Sequence, residues 1–513
     1  MESPKDFKSD YKLEQDKDLY ALIRKNSVYV FFERSFVPVI NFLITIYIIR
    51  KLSINDYGIY NILLAIMGYV ALLSSLGLPG VFQRFIPEFY QKGQIGKLKK
   101  LVEKGLLWRF IMCGGIILVI LLFSDQIGEL FKFQEAFRYI AVFSIGIIFF
   151  LESGLLSTTI TSCFHHKMYL IAQIVYVLFR ASILYFLLST GKGLVGLLVA
   201  ESISYGILFL VQFFFYRRFL SAHSIDKGFE LPFRRLLRFG GFSYFNEVGA
   251  QILSVTTDFF IISAFLGPIA VGIYSFANRI LTLTSRVLPQ SMFVNIIRPA
   301  FFVKYVQDDD PKQINRMFNF LMKIIAFFTF PLVTGIILLG DKLIIYIFDP
   351  KYLESLTVLW IVAAFTGINF FLDPIGLVLQ SKEKVQILFY SKIFAIYNLI
   401  ADLLVVKTYG IIGIAVVTGS AVLFKNLFCY FYAKKYASIT IELKSLVIIA
   451  INSLLMVLVL YPLRPKIQNI TSFILVVIIG AFIYFLAAYF NKAFSKSERN
   501  MLNQILPRPI FVF

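Results

Sequence analysis

Stretches of about 20 mostly apolar residues recur along the chain, set apart by short polar or charged connections. A helix rises about 1.5 Å per residue, so each stretch is long enough to cross about 30 Å of hydrocarbon. The pattern predicts fourteen membrane-spanning helices, at residues 27–50, 58–79, 104–124, 138–161, 168–189, 194–216, 239–265, 270–296, 316–340, 355–380, 385–406, 409–433, 443–461 and 469–491. The first, seventh and eighth carry several polar groups. The expected fold is therefore all-α and polytopic.

The first half of the chain recurs in the second. LSINDYGIY at 52–60 matches LGPIAVGIY at 266–274 at an offset of 214, and at the same offset Glu33 meets Glu247, Arg84 meets Arg298 and Arg109 meets Lys323. Later anchors shift to 217, where Lys167 meets Lys384 and GLVGL at 193–197 meets GIIGI at 410–414. Six spans separate equivalent positions, an even number, so both copies point the same way through the membrane. Such a parallel repeat is related by an axis along the membrane normal, a layout of alternating-access transporters. The expected domains are an N-terminal tail (1–26), a first six-helix lobe (27–216), a basic linker (217–238), a second six-helix lobe (239–433), and two additional helices with the C-terminus (434–513).

Composition excludes other classes. Of the 513 residues, 58% are hydrophobic and 16% charged, against about 45–50% and 25% in soluble proteins. Three cysteines (Cys113, Cys163, Cys429) make no disulfide framework. Residues 1–26 are polar and of mixed charge, with no apolar core of a signal peptide. The net charge of +20 would suggest nucleic acid in a soluble protein. In a membrane protein it suggests cytoplasmic loops facing anionic lipid headgroups, and no nucleic acid is expected. With the N-terminus inside, the inner segments hold 32 Lys and Arg, the outer loops 10 and the spans 8. That bias predicts a plasma (inner) membrane protein with both termini cytoplasmic. The longest outer loop, near 341–354, leaves no room for a folded external domain.

Charges inside hydrocarbon usually face a cavity or a partner. In the eighth span Ser275, Asn278, Arg279, Thr282, Ser285, Arg286 and Gln290 fall on one helical face, with Pro289 bending the helix. The seventh carries Ser243, Glu247, Gln251, Ser254 and Asp258, and the first Glu33, Arg34, Asn41 and Thr45. One reading is a hydrated cavity lined by spans 1, 7 and 8, whose arginines present planar forks to an anion. The other is structural pairing, such as Arg279 with Asp258 across the short hairpin. Lys392 and Lys425 lie deeper in their spans, whereas Arg109 and Lys323 sit near span ends and can snorkel. Glu152, Arg180 and Glu201 suit a network within the first lobe. Asp373 precedes Pro374 in a kinked tenth span, and the run Asp308–Asp310 reads as a solvated loop. His165 and His166 lack a third ligand nearby, so no metal is expected. GKG at 191–193 lacks the length and the Ser or Thr of a nucleotide-binding loop. No cytoplasmic segment can house an ATPase domain, and no nucleophile–base set is evident. The chain reads as no enzyme, with no catalytic residue and no cofactor.

Two stretches carry a family likeness. IIRKLSINDYGIYNILLAIMGYVALLSSLGLPGVFQRFIPEFYQKGQ at 48–94 resembles the start of polysaccharide-biosynthesis flippases, the Wzx-type members of the multidrug/oligosaccharidyl-lipid/polysaccharide exporter superfamily. TTDFFIISAFLGPIAVGIYSFANRI at 256–280 is similar to their second-lobe counterpart. The resemblance implies transfer of a polyprenyl-diphosphate-linked oligosaccharide from the cytoplasmic to the outer leaflet, for lipopolysaccharide, O-antigen or other surface glycan. It implies Arg34, Arg279 and Arg286 for the diphosphate, with Asn41, Asn278, Gln290, Lys392 and Lys425 completing the substrate-binding set. It implies Glu247, Asp258 and Glu33 for coupling to protons or sodium, and polysaccharide polymerase or assembly proteins as partners. A cation-coupled drug or metabolite exporter and a peptidoglycan lipid-precursor flippase share this architecture. A polymerase or ligase would need a large outer loop.

Overall fold

A computed structural model describes residues 6–223, 230–287, 311–371, 374–382, 384–505 and 511–513. The described residues are helical throughout, with no strand. Eleven helices are long and apolar enough to cross a membrane, or twelve if the broken pair Phe233–Ile252 and Val255–Leu266 makes one crossing. With exposed side chains such as Leu122, Leu404 and Phe490 on their outer faces, they make this a multi-pass membrane protein. Fourteen crossings are not reached among the described residues. The eighth expected span runs beyond Val287, where the description stops, and the eleventh and twelfth are the two arms of one helical segment interrupted at Gly410.

The chain divides into two compact units. Unit 1 holds residues up to Leu52 and Leu63–Gln251; unit 2 holds Ser53–Ile62 and everything from Ile252 onward. The seventh expected span is thus split at Leu253 and Ser254, its first part in one unit and its second in the other.

Unit 1 contains α1 (Asp6–Lys51), most of α2 (Ile54–Ser75), α3 (Leu78–Gln91), α4 (Ile95–Leu122), α5 (Ser124–Leu130), α6 (Ala136–Ser162), α7 (His166–Ser189), α8 (Gly193–Ser221) and α9 (Phe233–Ile252). Its centre is α6 laid along α8, with α7 on α8, α4 on α6 and α1 on α7. α3 is amphipathic and is no span. It starts after Gly77, whose φ of 79° is the left-handed turn that glycine adopts without strain. Its face of Val81, Phe82, Phe85, Ile86 and Phe89 is buried in a cluster with Leu98, Val102, Leu156 and Tyr216. Arg84 and Glu88 stand on its other side.

Unit 2 contains the first turns of α2, then α10 (Val255–Leu266), α11 (Pro268–Val287), α12 (Pro311–Ile347), α13 (Leu356–Phe371), the short α14 (Ile375–Ser381) and α15 (Val385–Tyr390), α16 (Ile393–Ala437), α17 (Leu443–Leu460), α18 (Ile470–Asn491) and α19 (Lys496–Ile505). Gly267 at φ 89° ends α10, and Pro268 opens α11 where its missing N–H costs nothing. α16 is two arms. Gly410 interrupts it at φ 57°, ψ −144°. The Tyr397 and Ser420 hydroxyls then meet at 3.2 Å, and the Phe394 ring meets Phe424 and Phe428. A residue 13 before the glycine touching one 10 after it means the arms fold back as a hairpin. The twelfth helix also carries a buried cation: Lys323 Nζ lies 2.9 Å from Glu442 and 3.1 Å from Glu498. It does not snorkel; carboxylates from the start of α17 and from α19 come to it.

The two copies of the repeated motif meet inside unit 2. A Cβ on Gly58 would strike the carbonyl of Pro268, and a Cβ on Gly272 would strike the carbonyl of Ile54. Gly58 with Gly272, and Ile54 with Pro268, are pairs at the 214 offset, so the contact is reciprocal. Small residues allow such backbones to approach this closely in a membrane. Gly58→Ala and Gly272→Ala should each cost about 1–3 kcal/mol, read as a lower melting temperature of purified protein. Gly114 and Gly115 face open space in mid-α4, so alanine there should leave stability unchanged or raise it.

Candidate functional site

In unit 2 a cavity of about 250 Å³ opens among α11, α13 and the second arm of α16. Asn278 of α11, Thr366 and Asn369 of α13, and Thr418, Lys425 and Asn426 of α16 give it a polar lining. Phe365, Ala415, Gly419 and three valines complete the wall. The amides are organised: Asn426 Nδ2 donates to Asn369 Oδ1 at 3.2 Å, and Asn369 Nδ2 donates to the Gly419 carbonyl at 3.3 Å. Lys392, across the hairpin, lies within electrostatic reach of Lys425. The wall thus offers a cation, amides and hydroxyls, groups that suit phosphate oxygens and sugar hydroxyls.

Beside this wall lies a buried carboxylate cluster. Asp258 is fully buried, and its Oδ2 accepts from the Tyr274 hydroxyl at 2.7 Å and the Thr418 hydroxyl at 3.0 Å. Tyr274 and Thr418 are also cavity-lining residues, so the cluster and the cavity share a wall. Asp402, also fully buried, accepts from Asn398 Nδ2 at 3.0 Å. Three buried oxygens, Asp258 Oδ1, Asn398 Oδ1 and Asp402 Oδ1, have no hydrogen-bond partner among the described residues. Orphaned buried acceptors are costly, and a cluster of carboxylate, amide and hydroxyl oxygens is a donor set that a proton or a hard cation such as sodium would satisfy.

Unit 1 places its expected site residues differently. Asn41 Oδ1 accepts from Arg180 Nη1 at 2.6 Å, while Arg180 Nε lies 2.9 Å from a carboxylate oxygen of Glu201, which is fully buried. Two members of the expected first-lobe network therefore pair; the third, Glu152, lies instead within electrostatic reach of Arg109. Glu247 accepts from the hydroxyls of Ser75 at 3.3 Å and Ser243 at 3.2 Å. Glu33 is half-buried and Arg34 exposed on α1. Arg279, half-buried on α11 in unit 2, lies within electrostatic reach of Tyr57. The Arg286 side chain, Gln290, Asp373 and the run Asp308–Asp310 lie outside the described residues.

Of the expected residues, the structure brings Asn278 and Lys425 to one cavity with Asp258 beside it and Lys392 across the hairpin. Sequence reasoning missed Asn369, Asn398, Asp402, Thr418 and Asn426. Asn398 and Asp402 left a signal: an amide and an acid at i and i+4 within a strongly apolar span. Thr418 left none, since its contact with Asp258 spans 160 residues.

A family model described as polysaccharide biosynthesis protein matches residues 48–357, more than half of the chain. The teichuronic acid biosynthesis protein TuaB of Bacillus subtilis is 29% identical over 156 residues, 30% of each chain. Less than a third of that relative's length is therefore matched. The probable low-salt glycan biosynthesis flippase Agl15 of Haloferax volcanii is 22% identical over 448 residues, covering 86% of this chain and 89% of that one. Among solved structures, the lipid II flippase MurJ in an inward closed conformation superposes with a TM-score of 0.68 at 20% identity, over 93% of this chain and 99% of that one. An inward-facing MATE-family multidrug transporter superposes with a TM-score of 0.63 at 14% identity, over 79% and 96%. The fold is thus of the MurJ and MATE type.

The Arg180–Glu201 pair separates structural from substrate-facing charge. Arg180→Leu strands a buried carboxylate and should cost about 3–5 kcal/mol, seen as lower membrane yield and melting temperature. Arg180→Leu combined with Glu201→Leu should recover most of that loss. A pair kept for substrate would instead leave stability intact and lose transport.

Proposed function

The chain belongs to the polysaccharide biosynthesis protein family, and from that premise we propose that it is a membrane flippase that carries a polyprenyl-diphosphate-linked oligosaccharide from the cytoplasmic to the outer leaflet by alternating access. The observation that most supports this reading is the convergence of Lys425 and the amides of Asn278, Asn369 and Asn426 on a cavity in the helical body of unit 2. A diphosphate and its sugars cannot cross hydrocarbon bare. A polar, cationic lining shelters the head while the polyprenyl tail stays in the bilayer. In this reading Arg34, Arg279 and Arg286 grip the diphosphate through charge-assisted, forked hydrogen bonds, and Asn278, Gln290, Lys392 and Lys425 serve the rest of the head, while Asn41 is taken up by Arg180. The product joins a surface polysaccharide; the names of the relatives span teichuronic acid and an archaeal glycan, so the reading is not tied to O-antigen or lipopolysaccharide. Polymerase or assembly proteins would then take the product at the outer face, with both termini in the cytoplasm.

Coupling is assigned to the cluster of Asp258, Asn398, Asp402 and Thr418. A proton or sodium ion held by the orphaned oxygens neutralises buried charge and so favours one conformation over another. An ion can shift that equilibrium only by its differential affinity for the two states. Glu33 and Glu247 are the acidic candidates in unit 1. Two neighbouring readings keep specific support: a peptidoglycan lipid-precursor flippase from the likeness to MurJ, and a cation-coupled drug or metabolite exporter from the likeness to MATE transporters.

Arg279→Ala and Arg286→Ala should each insert normally yet abolish surface polysaccharide, scored by glycan staining of cells that lack the wild-type gene. Normal export by both variants would refute the diphosphate assignment. In proteoliposomes, transfer of a lipid-linked glycan should accelerate under an imposed proton or sodium gradient. Asp258→Asn and Asp402→Asn should remove that response, while indifference of the wild-type protein to both gradients would discard coupling. Transport of a cationic dye in place of the glycan would favour the exporter reading.

A further inference from the structure

Unit 1 carries a second concavity, outside the site assigned to export. It measures about 950 Å³ and lies between α3 and the start of α9. Arg84, Arg234, Arg235 and Arg238 line it, together with Phe233 and Phe242. One carboxylate, Glu88, meets two of these four arginines. It accepts from Arg235 Nη1 and Nη2 at 3.0 and 3.1 Å and from Lys92 at 2.9 Å, and Arg84 stands 3.3 Å away. Hydrogen bonds from Arg235, then Lys92, hold the Glu88 carboxyl down at about 2, so it stays ionised across the physiological range. Arg234 and Arg238 have no carboxylate partner among the described residues. They stand one helical turn apart, a like-charge spacing that disfavours the helix unless an anion answers it.

The aromatic residues narrow the identity of that anion. Phe233 is 66% and Phe242 74% exposed, on the same wall as the arginines. A soluble phosphate makes no use of exposed rings. A membrane lipid does, because its phosphate sits at the depth of interfacial cations while its chains run along the apolar side chains below. α9 and α10 are together long and apolar enough for one crossing, and in such a crossing the opening turn of α9 stands where hydrocarbon meets headgroups. Guanidinium groups match phosphate oxygens through paired donors.

We propose that this cleft is a binding site for the phosphate of an anionic bilayer phospholipid. The proposal does not depend on which substrate the protein exports.

The test uses full-length protein in neutral detergent with dioleoylphosphatidylglycerol as probe, read by native mass spectrometry. Phosphatidylglycerol should bind saturably and phosphatidylcholine should not. Arg234→Gln with Arg238→Gln should weaken phosphatidylglycerol about thirtyfold, and Arg234→Lys with Arg238→Lys, which keeps the charge and loses the forked donors, should weaken it less. Arg138→Gln, in an exposed pair with Glu135, should change nothing. Unaltered binding by the double Gln variant, or an equal loss in Arg138→Gln, overturns the proposal. Full competition by inorganic phosphate at matched concentration also overturns it, because the cleft would then answer to a soluble anion. If the double Gln variant does not fold, a photoactivatable phosphatidylglycerol on the wild-type protein decides: labelling of peptides 78–91 and 232–242 is expected, and labelling confined to other helices refutes the site.

Discussion

A charge placed in hydrocarbon must be met by another group at the same depth, and much of this protein is arranged around that requirement. Unit 1 meets it by direct pairing: the Arg180 guanidinium is clasped by Glu201 and Asn41. Unit 2 meets it at Lys323 by bringing α19 and the start of α17 to the ammonium. The rings of Phe494, Phe511 and Phe513 then close around Phe327. The C-terminal segment is in that sense a structural part of the helical body.

The Asp258 cluster departs from this economy. Its hydroxyl and amide donors satisfy one oxygen of each carboxylate and leave the other without a protein partner among the described residues. Stability alone would favour closing those valences, as Arg180 closes those of Glu201. An arrangement that leaves acceptors open beside a polar cavity gives up stability, and the proposed coupling role is what would account for it. Unit 1 holds one such valence as well, at the buried Glu152 Oε1.

Much of the fold was legible in the sequence because membrane thickness imposes a length on each apolar run. The hairpin of α16 follows from the glycine of the GIIGI motif at Gly410, the second-half counterpart of Gly193. The amphipathic α3 was hidden between two spans, its burial on one side only. The break at Leu253 and Ser254 was hidden too, because the residues on either side are apolar enough to read as one crossing. At the site, Asn278, Asp258 and Lys425 were found because each is a polar residue in an apolar span. Asn398 and Asp402 obeyed the same rule and were overlooked among stronger stripes. Thr418 and Asn426 became informative only once the hairpin had folded, since threonine and asparagine are tolerated in many spans for local reasons.

The reciprocal approach of Gly58 and Gly272 has an evolutionary corollary. If the halves descend from one shorter gene whose product paired with itself, that crossing was once a single surface meeting its own copy, and any replacement altered both sides simultaneously. Fusion into one chain released the constraint. Each side can now drift alone, so the ancestral twofold symmetry has become a matter of inheritance and no longer of necessity.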